Sequence, residues 1–143
     1  MKYLLLLLTL FSLAFSAEID EFASDVNYLR DYKEAVKFAK EENKMVMLVL
    51  VGDYCPWCKK FEKKTLMSKD VKTYVDENFV AVVVDKYKDK GSYPDEFYAP
   101  LIPAVYFINP STQKSVLDTV AYMKKKEYIE NMEDALGLYE NEK

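Results

Sequence analysis

The spacing of apolar residues changes along the chain and predicts an alternation of helices and buried strands. Between Asp25 and Lys44, apolar positions recur at helical spacing with charged residues between them, which predicts an amphipathic helix. Met45–Val51 and Phe79–Val84 are short, continuous apolar runs rich in valine, typical of strands covered on both faces. Two such strands indicate a central sheet with helices packed on either side.

Two helical segments are predicted between these strands. Proline suits the first turn of a helix, so a helix is expected to begin at Pro56 and to continue through Thr65. Ser68 is expected to cap a second helical segment that contains Val71.

The chain after the second strand is predicted to form a loop, two strands and a helix. In order, these are a loop at Lys86–Pro100 with a helical turn at Asp95–Tyr98, strands at Ala104–Ile108 and Ser115–Tyr122, and a helix at Lys125–Leu138. That helix is expected to end near Gly137 and to bury Tyr128, Ile129, Met132 and Leu136. A βαβ unit followed by a ββα unit gives an α/β fold with a mixed four-stranded sheet and helices on both faces.

Composition narrows the possible functions. A chain of 143 residues with 50% hydrophobic content is long enough for one packed core and too short for two ordinary domains. A net charge of −4 without a long basic block argues against binding to nucleic acid. The sequence has no histidine, which removes the usual general base at neutral pH and the commonest zinc ligand.

The amino terminus has the layout of a secretory signal peptide. Lys2 precedes an apolar run, and Ala14 and Ser16 supply the small residues of a cleavage site. The apolar run is shorter than the roughly 20 residues of a membrane-spanning helix, which disfavours the alternative of an uncleaved anchor. We therefore expect a signal peptide at 1–16 and one domain at 17–143, in the periplasm of a Gram-negative bacterium or otherwise secreted. Cleavage removes one lysine and no acidic residue, so the net charge goes from −4 to −5.

The candidate chemistry lies in the only two cysteines, Cys55 and Cys58, which are separated by two residues. Zinc sites and haem attachment use the same spacing, but zinc needs four ligands and haem needs a histidine where this chain has Lys59. Copper held by two thiolates stays open, although the histidine that usually completes such sites is missing. A purely structural disulfide would close a loop of four residues and stabilise the fold by only about 2 kcal/mol. We expect a redox-active pair with no bound metal or cofactor.

Redox exchange needs one thiol that ionises easily and a second within reach. Cys55 is predicted at a helix amino terminus, where backbone N–H groups and the helix dipole favour the thiolate. A thiol with a pKa near 8.5 is about 3% ionised at pH 7, whereas a pKa near 7 makes it about half. Cys58, one turn later, is predicted to be shielded and to resolve the mixed disulfide that Cys55 forms with a partner.

The sequence around the cysteines resembles the thioredoxin superfamily over nearly the whole of residues 17–143. The resemblance rests on Asp53–Lys59 after an apolar strand and on the pair Ile102 and Pro103 before another. The stretch Cys58–Thr65 followed by Val71 is most similar to the thioredoxin-like domain of bacterial thiol:disulfide interchange proteins and to related periplasmic thioredoxins. The resemblance implies a thioredoxin-like fold.

The same resemblance implies a substrate-binding surface. In that family the proline matching Pro103 is cis, and its neighbourhood, here Ile102, docks the substrate backbone beside the reactive sulfur. Trp57 is expected to face outward between the cysteines. Tyr54 and Pro56 are expected to extend an apolar rim around the sulfur atoms.

Two departures from the family pattern affect proton transfer. The buried aspartate of many thioredoxins is Val49 here, and the lysine often paired with it corresponds to Ala81. Glu62, four residues after Cys58 and on the same helix face, is the candidate for accepting the Cys58 proton, with an ordinary solvated acid as the alternative. A solvated basic face is predicted for Lys59, Lys60, Lys63 and Lys64.

The sequence thus favours an extracytoplasmic thiol:disulfide oxidoreductase that acts as a monomer and reduces disulfides in partner proteins. A membrane or periplasmic redox partner would keep it reduced. Trp57 cannot stabilise a thiolate as a cationic histidine would between the cysteines of a strong oxidant. The alternatives are a dithiol oxidase or disulfide isomerase, and a non-catalytic adaptor or metallochaperone.

Overall fold

The structure, a computed structural model, describes residues 17–143, so the predicted signal peptide lies outside the described residues. The helices are α1 (Glu18–Val26), α2 (Tyr32–Glu42), α3 (Pro56–Phe61), α4 (Lys69–Asn78) and α5 (Lys125–Asn141). The strands are β1 (Met45–Val51), β2 (Phe79–Asp85), β3 (Ala104–Asn109) and β4 (Lys114–Val120). A π-helical turn (Glu62–Leu66) continues α3, and a 3₁₀ turn covers Asp95–Phe97. Within the described range, no helix is both long and apolar enough to cross a membrane.

The four strands form one mixed sheet in the order β2-β1-β3-β4. Strand β1 pairs in parallel with β2 and antiparallel with β3, and β4 pairs antiparallel with β3. Every residue of β1 is buried, as a central strand without polar residues requires. The predicted mixed α/β sheet is confirmed.

Helices cover both faces of the sheet and create two hydrophobic cores. Alternate residues of β1 point to opposite faces, so Met47 and Val49 belong to one core and Leu48 and Leu50 to the other. The first core lies under α1, α3, α4 and α5, and the second lies under α2 and the 3₁₀ turn. The predicted arrangement of helices on both faces is therefore present.

The helix predicted over 25–44 is present only in part, because α2 covers Tyr32–Glu42 and the region begins with the last two residues of α1. Asn27 ends α1 in the left-handed conformation, with φ 60°. Leu29 then forms a parallel bridge with Val82, so its backbone extends the sheet instead of a helix. Asp31 caps α2 by accepting a hydrogen bond of 2.9 Å from the backbone N–H of Glu34.

The segment after the cysteines also differs from the prediction in its details. Helix α3 begins at Pro56 as predicted, but from Glu62 the backbone adopts the wider π-helical turn. Ser68 occupies the N-cap position of α4, yet its hydroxyl donates a 2.6 Å hydrogen bond to the carbonyl of Thr65 and does not cap the helix. The predicted capping role of Ser68 is therefore wrong.

The carboxyl-terminal elements have different limits from those predicted. Strand β4 ends at Val120 because Ala121 takes a positive φ of 80°. Helix α5 continues through Gly137, which lies four residues before its end. The residues that α5 buries are Tyr128, Met132, Ala135 and Tyr139. Ile129 and Leu136, predicted to be buried, are only half-buried at the edge of this face.

Replacing Met132 with alanine should destabilise the fold by about 2–5 kcal/mol, because it leaves a cavity under α5. The control is Leu138→Ala on the same helix, where a 44% exposed side chain should contribute less than about 1 kcal/mol. Urea denaturation of both variants and the parent protein measures the free energies of unfolding. Equal losses would contradict this packing of α5.

Candidate active site

The segment that links β1 to α3 places Cys55 at the carboxyl end of the central strand. Gly52 lies where the segment leaves the sheet, and a Cβ atom there would be 2.8 Å from Cδ1 of Ile102 and 3.5 Å from the ring of Tyr87. The backbone at Gly52 therefore lies close to the side chains of residues 87 and 102, and a side chain at position 52 would displace the end of Ile102. Tyr54 then reverses the chain with φ 55°, and Cys55 becomes the N-cap residue of α3.

The two cysteines form a disulfide, yet their exposure differs. Their Cα atoms are 5.2 Å apart. Cys55 is half-buried at the surface, whereas Cys58 is 0% exposed and belongs to the larger hydrophobic core. The backbone N–H of Cys58 donates a hydrogen bond of 3.2 Å to Sγ of Cys55. This N–H would stabilise negative charge on that sulfur after reduction.

The loop before β3 brings a second part of the chain against the sulfur. The Ile102–Pro103 peptide bond is cis, in agreement with what the resemblance implies. The carbonyl oxygen of Ile102 lies 3.8 Å from Sγ of Cys55. Pro103 is buried, and its carbonyl accepts a 2.9 Å hydrogen bond from the backbone N–H of Ala121. The residue pair predicted beside the reactive sulfur is therefore held there by the end of β4.

Exposed aromatic side chains surround the pair. Tyr54 is fully exposed, Trp57 is 57% exposed, and Pro56 lies between them at the surface. The ring of Trp57 lies 6.0 Å from the ring of Tyr122, and Nζ of Lys60 is within 4.8 Å of both ring centroids. Sequence reasoning missed Tyr122, because only the turn after β4 brings it to Trp57.

Glu62 is buried, so its interpretation as an ordinary solvated acid is wrong. The residue is 4% exposed, and its carboxylate lies 3.4 Å from Nζ of Lys59. The same ammonium group lies 3.2 Å from the carboxylate of Glu18 on α1. Burial raises the pKa of the Glu62 carboxyl above its ordinary value, and the charge of Lys59 partly opposes that increase.

The basic face predicted from four lysines is only partly present. Lys63 and Lys64 are exposed, as predicted. Lys59 instead bridges two carboxylates, and Lys60 covers two aromatic rings. The sequence gives no local signal for the ion pair of Lys59 with Glu18, because α1 and α3 meet only in the folded chain.

The two strand positions that hold the acid and its paired lysine in many thioredoxins are apolar in this chain. Val49 of β1 is buried and pairs with Val83 of β2. Ala81, two residues before Val83 on β2, is also buried. Among the described residues, the other buried carboxylate is Asp85, which accepts hydrogen bonds from the backbone N–H groups of residues 87 and 88. Asp85 thus fixes the turn after β2, and Glu62 is the buried acid nearest Cys58 in sequence. Within residues 17–143, no three His, Cys, Asp or Glu side chains are close enough to hold a metal ion.

Comparison with known proteins agrees with this geometry. The family described as Thioredoxin-like matches residues 27–110. Anterior gradient protein 3 of Xenopus tropicalis is 26% identical over 128 residues, covering 82% of this chain and 76% of that protein.

Two solved structures share the fold. DsbH oxidoreductase is 24% identical, with a TM-score of 0.64 over 77% of this chain and 84% of its own. The oxidised carboxyl-terminal domain of DsbD from Neisseria meningitidis is 22% identical, with a TM-score of 0.57 over 76% of this chain and 98% of that domain. The family match covers more than half of the chain, and the fold carries a bonded CxxC pair that supports thiol:disulfide oxidoreductase activity. The chain shares its fold with these two Dsb structures, and the match over residues 27–110 shows that it belongs to the thioredoxin-like family.

Proposed function

We propose that this protein reduces disulfides in partner proteins outside the cytoplasm. The observation that carries the proposal is the unequal exposure of two bonded sulfurs, one accessible at a helix start and one fully buried. Only Cys55 can meet a bulky partner, so a partner disulfide reacts there. Cys58 can reach Cys55 but not a second protein, which suits it to the resolving step.

The reaction balances with the two cysteines alone. The thiolate of Cys55 attacks one sulfur of the partner disulfide, so a mixed disulfide forms and the partner's first thiolate leaves and takes a proton. Cys58 then loses its proton and attacks Sγ of Cys55, which releases the partner's second thiolate, and this thiolate takes a proton in turn. The partner gains two electrons and two protons, and the protein is left with the disulfide seen in the structure.

Glu62 is the proposed acceptor of the Cys58 proton. A thiol at a fully buried position cannot give its proton directly to water, so a neighbouring base is needed. Glu62 follows Cys58 by one helical turn and is, among the described residues, the buried carboxylate nearest to it in sequence. Its raised pKa brings the proton affinity of the carboxyl closer to that of a thiol, which helps proton transfer.

The surface around Cys55 is proposed to hold the partner's backbone and side chains. The carbonyl of Ile102 can accept a hydrogen bond from an extended substrate, and buried Pro103 fixes the position of that carbonyl. Tyr54, Pro56 and Trp57, next to Cys55 in sequence, offer an exposed apolar rim.

The proposed location follows from the amino-terminal layout at 1–16, which is typical of a secretory signal peptide. Outside the cytoplasm, disulfides form and persist, so a reductase there has substrates. The protein would act as a monomer in the periplasm of a Gram-negative bacterium, or secreted otherwise. A membrane or periplasmic redox partner would return electrons to it.

The redox potential tests the direction of electron flow. Equilibration of the protein with glutathione buffers, followed by the fluorescence of Trp57, should give a potential near the −270 mV of thioredoxin. A value near −120 mV would instead indicate a dithiol oxidase, and the absence of any exchange would indicate a non-catalytic adaptor.

Replacing Cys58 with alanine should leave partner proteins covalently attached to Cys55, because nothing resolves the mixed disulfide. Cys55→Ala is the matched control and should trap almost nothing, since the remaining thiol is fully buried. Non-reducing gels and mass spectrometry of the purified variants measure the adducts. Equal trapping by both variants would refute the assigned roles.

Glu62→Gln should slow the resolving step by about 10²-fold at neutral pH, the lower range of general base catalysis. The carboxyl accepts a proton only when ionised, so the parent protein should lose its advantage as the pH falls through the raised pKa of Glu62. Rapid-quench measurement of mixed-disulfide decay from pH 4 to pH 9 checks this. The control Glu77→Gln, on an exposed site of α4, should behave as the parent protein does. Rates of the Glu62 variant that match the parent's at every pH would exclude the role.

A further inference from the structure

A cavity of about 280 Å³ opens beside the proposed active site, between the end of β2 and the loop that precedes β3. None of its residues is among the cysteines, Glu62 or the substrate-binding residues proposed above. Its walls are Lys86, Tyr87, Lys90, Tyr93, Asp95 and Tyr98. Three of these are tyrosines, and the rings of Tyr87 and Tyr98 are largely exposed to solvent.

A buried cation lies at this cavity. Lys86 is only 6% exposed, and its Nζ lies 4.5 Å from the ring centroid of Tyr98 and 5.3 Å from that of Tyr87. Its hydrogen-bond partner is the carbonyl of Pro100 at 3.5 Å, the outer limit for such a bond. Among residues 17–143, no carboxylate lies within 4.0 Å of this ammonium group.

The surroundings of Lys86 leave it short of an anion. An ammonium group has three N–H donors, and here one has a long hydrogen bond while aromatic rings face the charge. Buried charges in proteins are normally paired, because an unpaired one is costly to remove from water. A carboxylate that enters the cavity would supply the missing partner.

The cavity is close enough to the reactive sulfur to receive part of the same substrate. The ring of Tyr87 and the side chain of Ile102 approach the same point above Gly52, at 3.5 and 2.8 Å. The carbonyl of Ile102 in turn lies 3.8 Å from Sγ of Cys55. An extended chain advances about 3.3–3.6 Å per residue, so a substrate held at Ile102 reaches the cavity within a few residues of its cysteine.

The charged side chains that line the cavity favour an acidic side chain over a basic one, and the nearby acids Asp85 and Asp89 lie outside its walls. The cavity walls carry two lysines, Lys86 and Lys90, against one aspartate, Asp95. The whole chain has a net charge of −4, which repels acidic groups at long range. Attraction of an acidic side chain to this cavity therefore acts only at short range.

We propose that this cavity, the Lys86 pocket, binds an aspartate or glutamate side chain of the partner protein near the cysteine that Cys55 attacks. The proposal rests on the disulfide exchange described above and names a preference within it. The Lys86 pocket would therefore determine which disulfides are reduced fastest.

The test compares synthetic peptides that each carry one disulfide and differ only by glutamate or glutamine. The acidic residue is moved through the positions on either side of one cysteine. Stopped-flow fluorescence of Trp57 gives the rate at which the reduced protein reacts with each peptide. Rates with dithiothreitol, which has no such pocket, correct for the intrinsic reactivity of each disulfide.

At one position, glutamate should raise the corrected rate about tenfold over glutamine, equivalent to about 1.4 kcal/mol. About 0.5 M salt should reduce this ratio, because it screens a partly exposed ion pair. In Lys86→Met the ratio should fall to about one. In Lys126→Met, which removes the same charge from an exposed site on α5, the ratio should stay at the parent value.

Two results would overturn the proposal in different ways. A ratio near one at every position in the parent protein, or an unchanged ratio in Lys86→Met, removes the Lys86 pocket but leaves disulfide exchange intact. No reaction with either peptide or with glutathione disulfide removes the proposed function itself. If Lys86→Met does not fold, Lys86→Gln is used in its place. If neither variant folds, the glutamate-to-glutamine rate ratio of the parent protein and its dependence on salt test the Lys86 pocket.

Discussion

One geometric constraint organises this protein: two sulfurs must bond to each other while only one of them meets solvent. The first turn of α3 satisfies it, because Cys55 is the N-cap residue and Cys58 lies three residues later on the inner face. Strand β1 delivers the chain to that point from the centre of the sheet, and Phe61 fixes the next turn in the core. The difference in exposure is therefore a property of the whole fold and not of the four-residue segment alone.

Because Cys58 is buried, its proton needs an acceptor within the protein, and the proposed acceptor lies at the end of a helix instead of on a strand. The strand position that holds an acid in many thioredoxins is Val49 here, surrounded by apolar neighbours. Glu62 instead begins the π-helical turn after α3, and turns of this kind are frequent at functional sites. Burying its carboxylate is unfavourable, and the nearby charge of Lys59, itself paired with Glu18, offsets part of that cost. Helix α1, which has no counterpart in the sequence-based prediction, thus contributes to the electrostatics of the site.

Local patterns predicted those parts of the fold that local energetics determine. The unbroken apolar run of β1 requires burial on both faces, and Pro56 after Cys55 requires a helix start, so both were predictable. The prediction failed at Leu29, where a parallel bridge to Val82 outweighs the helical periodicity of its neighbours. It also failed at Ala121, whose positive φ is set by the end of the sheet and not by its own preference.

The candidate site divides in the same way. The cysteines and the Ile102–Pro103 pair could be found from spacing and resemblance, because each is a short contiguous signal. Contacts between distant segments could not be found in this way. Tyr122 against Trp57 and Glu18 against Lys59 depend on which helix faces meet after folding, and neither residue type is unusual enough to stand out.

The surface around Cys55 combines two kinds of recognition with different consequences for specificity. An exposed rim that includes Tyr54 and Trp57 can pack against many apolar side chains, so it adds affinity without much discrimination. A buried cation discriminates more sharply between side chains. A neutral or basic side chain in the Lys86 pocket would displace water from the ammonium group without supplying a negative charge in its place. Discrimination of this kind needs a site that is held rigidly, and the backbone N–H of Lys86 donates a 2.9 Å hydrogen bond to the carbonyl of Val51 at the end of β1. Lys86 also begins the loop that later positions Ile102 beside Cys55. The Lys86 pocket and the reactive sulfur would then contact the same substrate, because the loop between β2 and β3 contributes to both. The choice of partner would thus be coupled to the chemistry at Cys55.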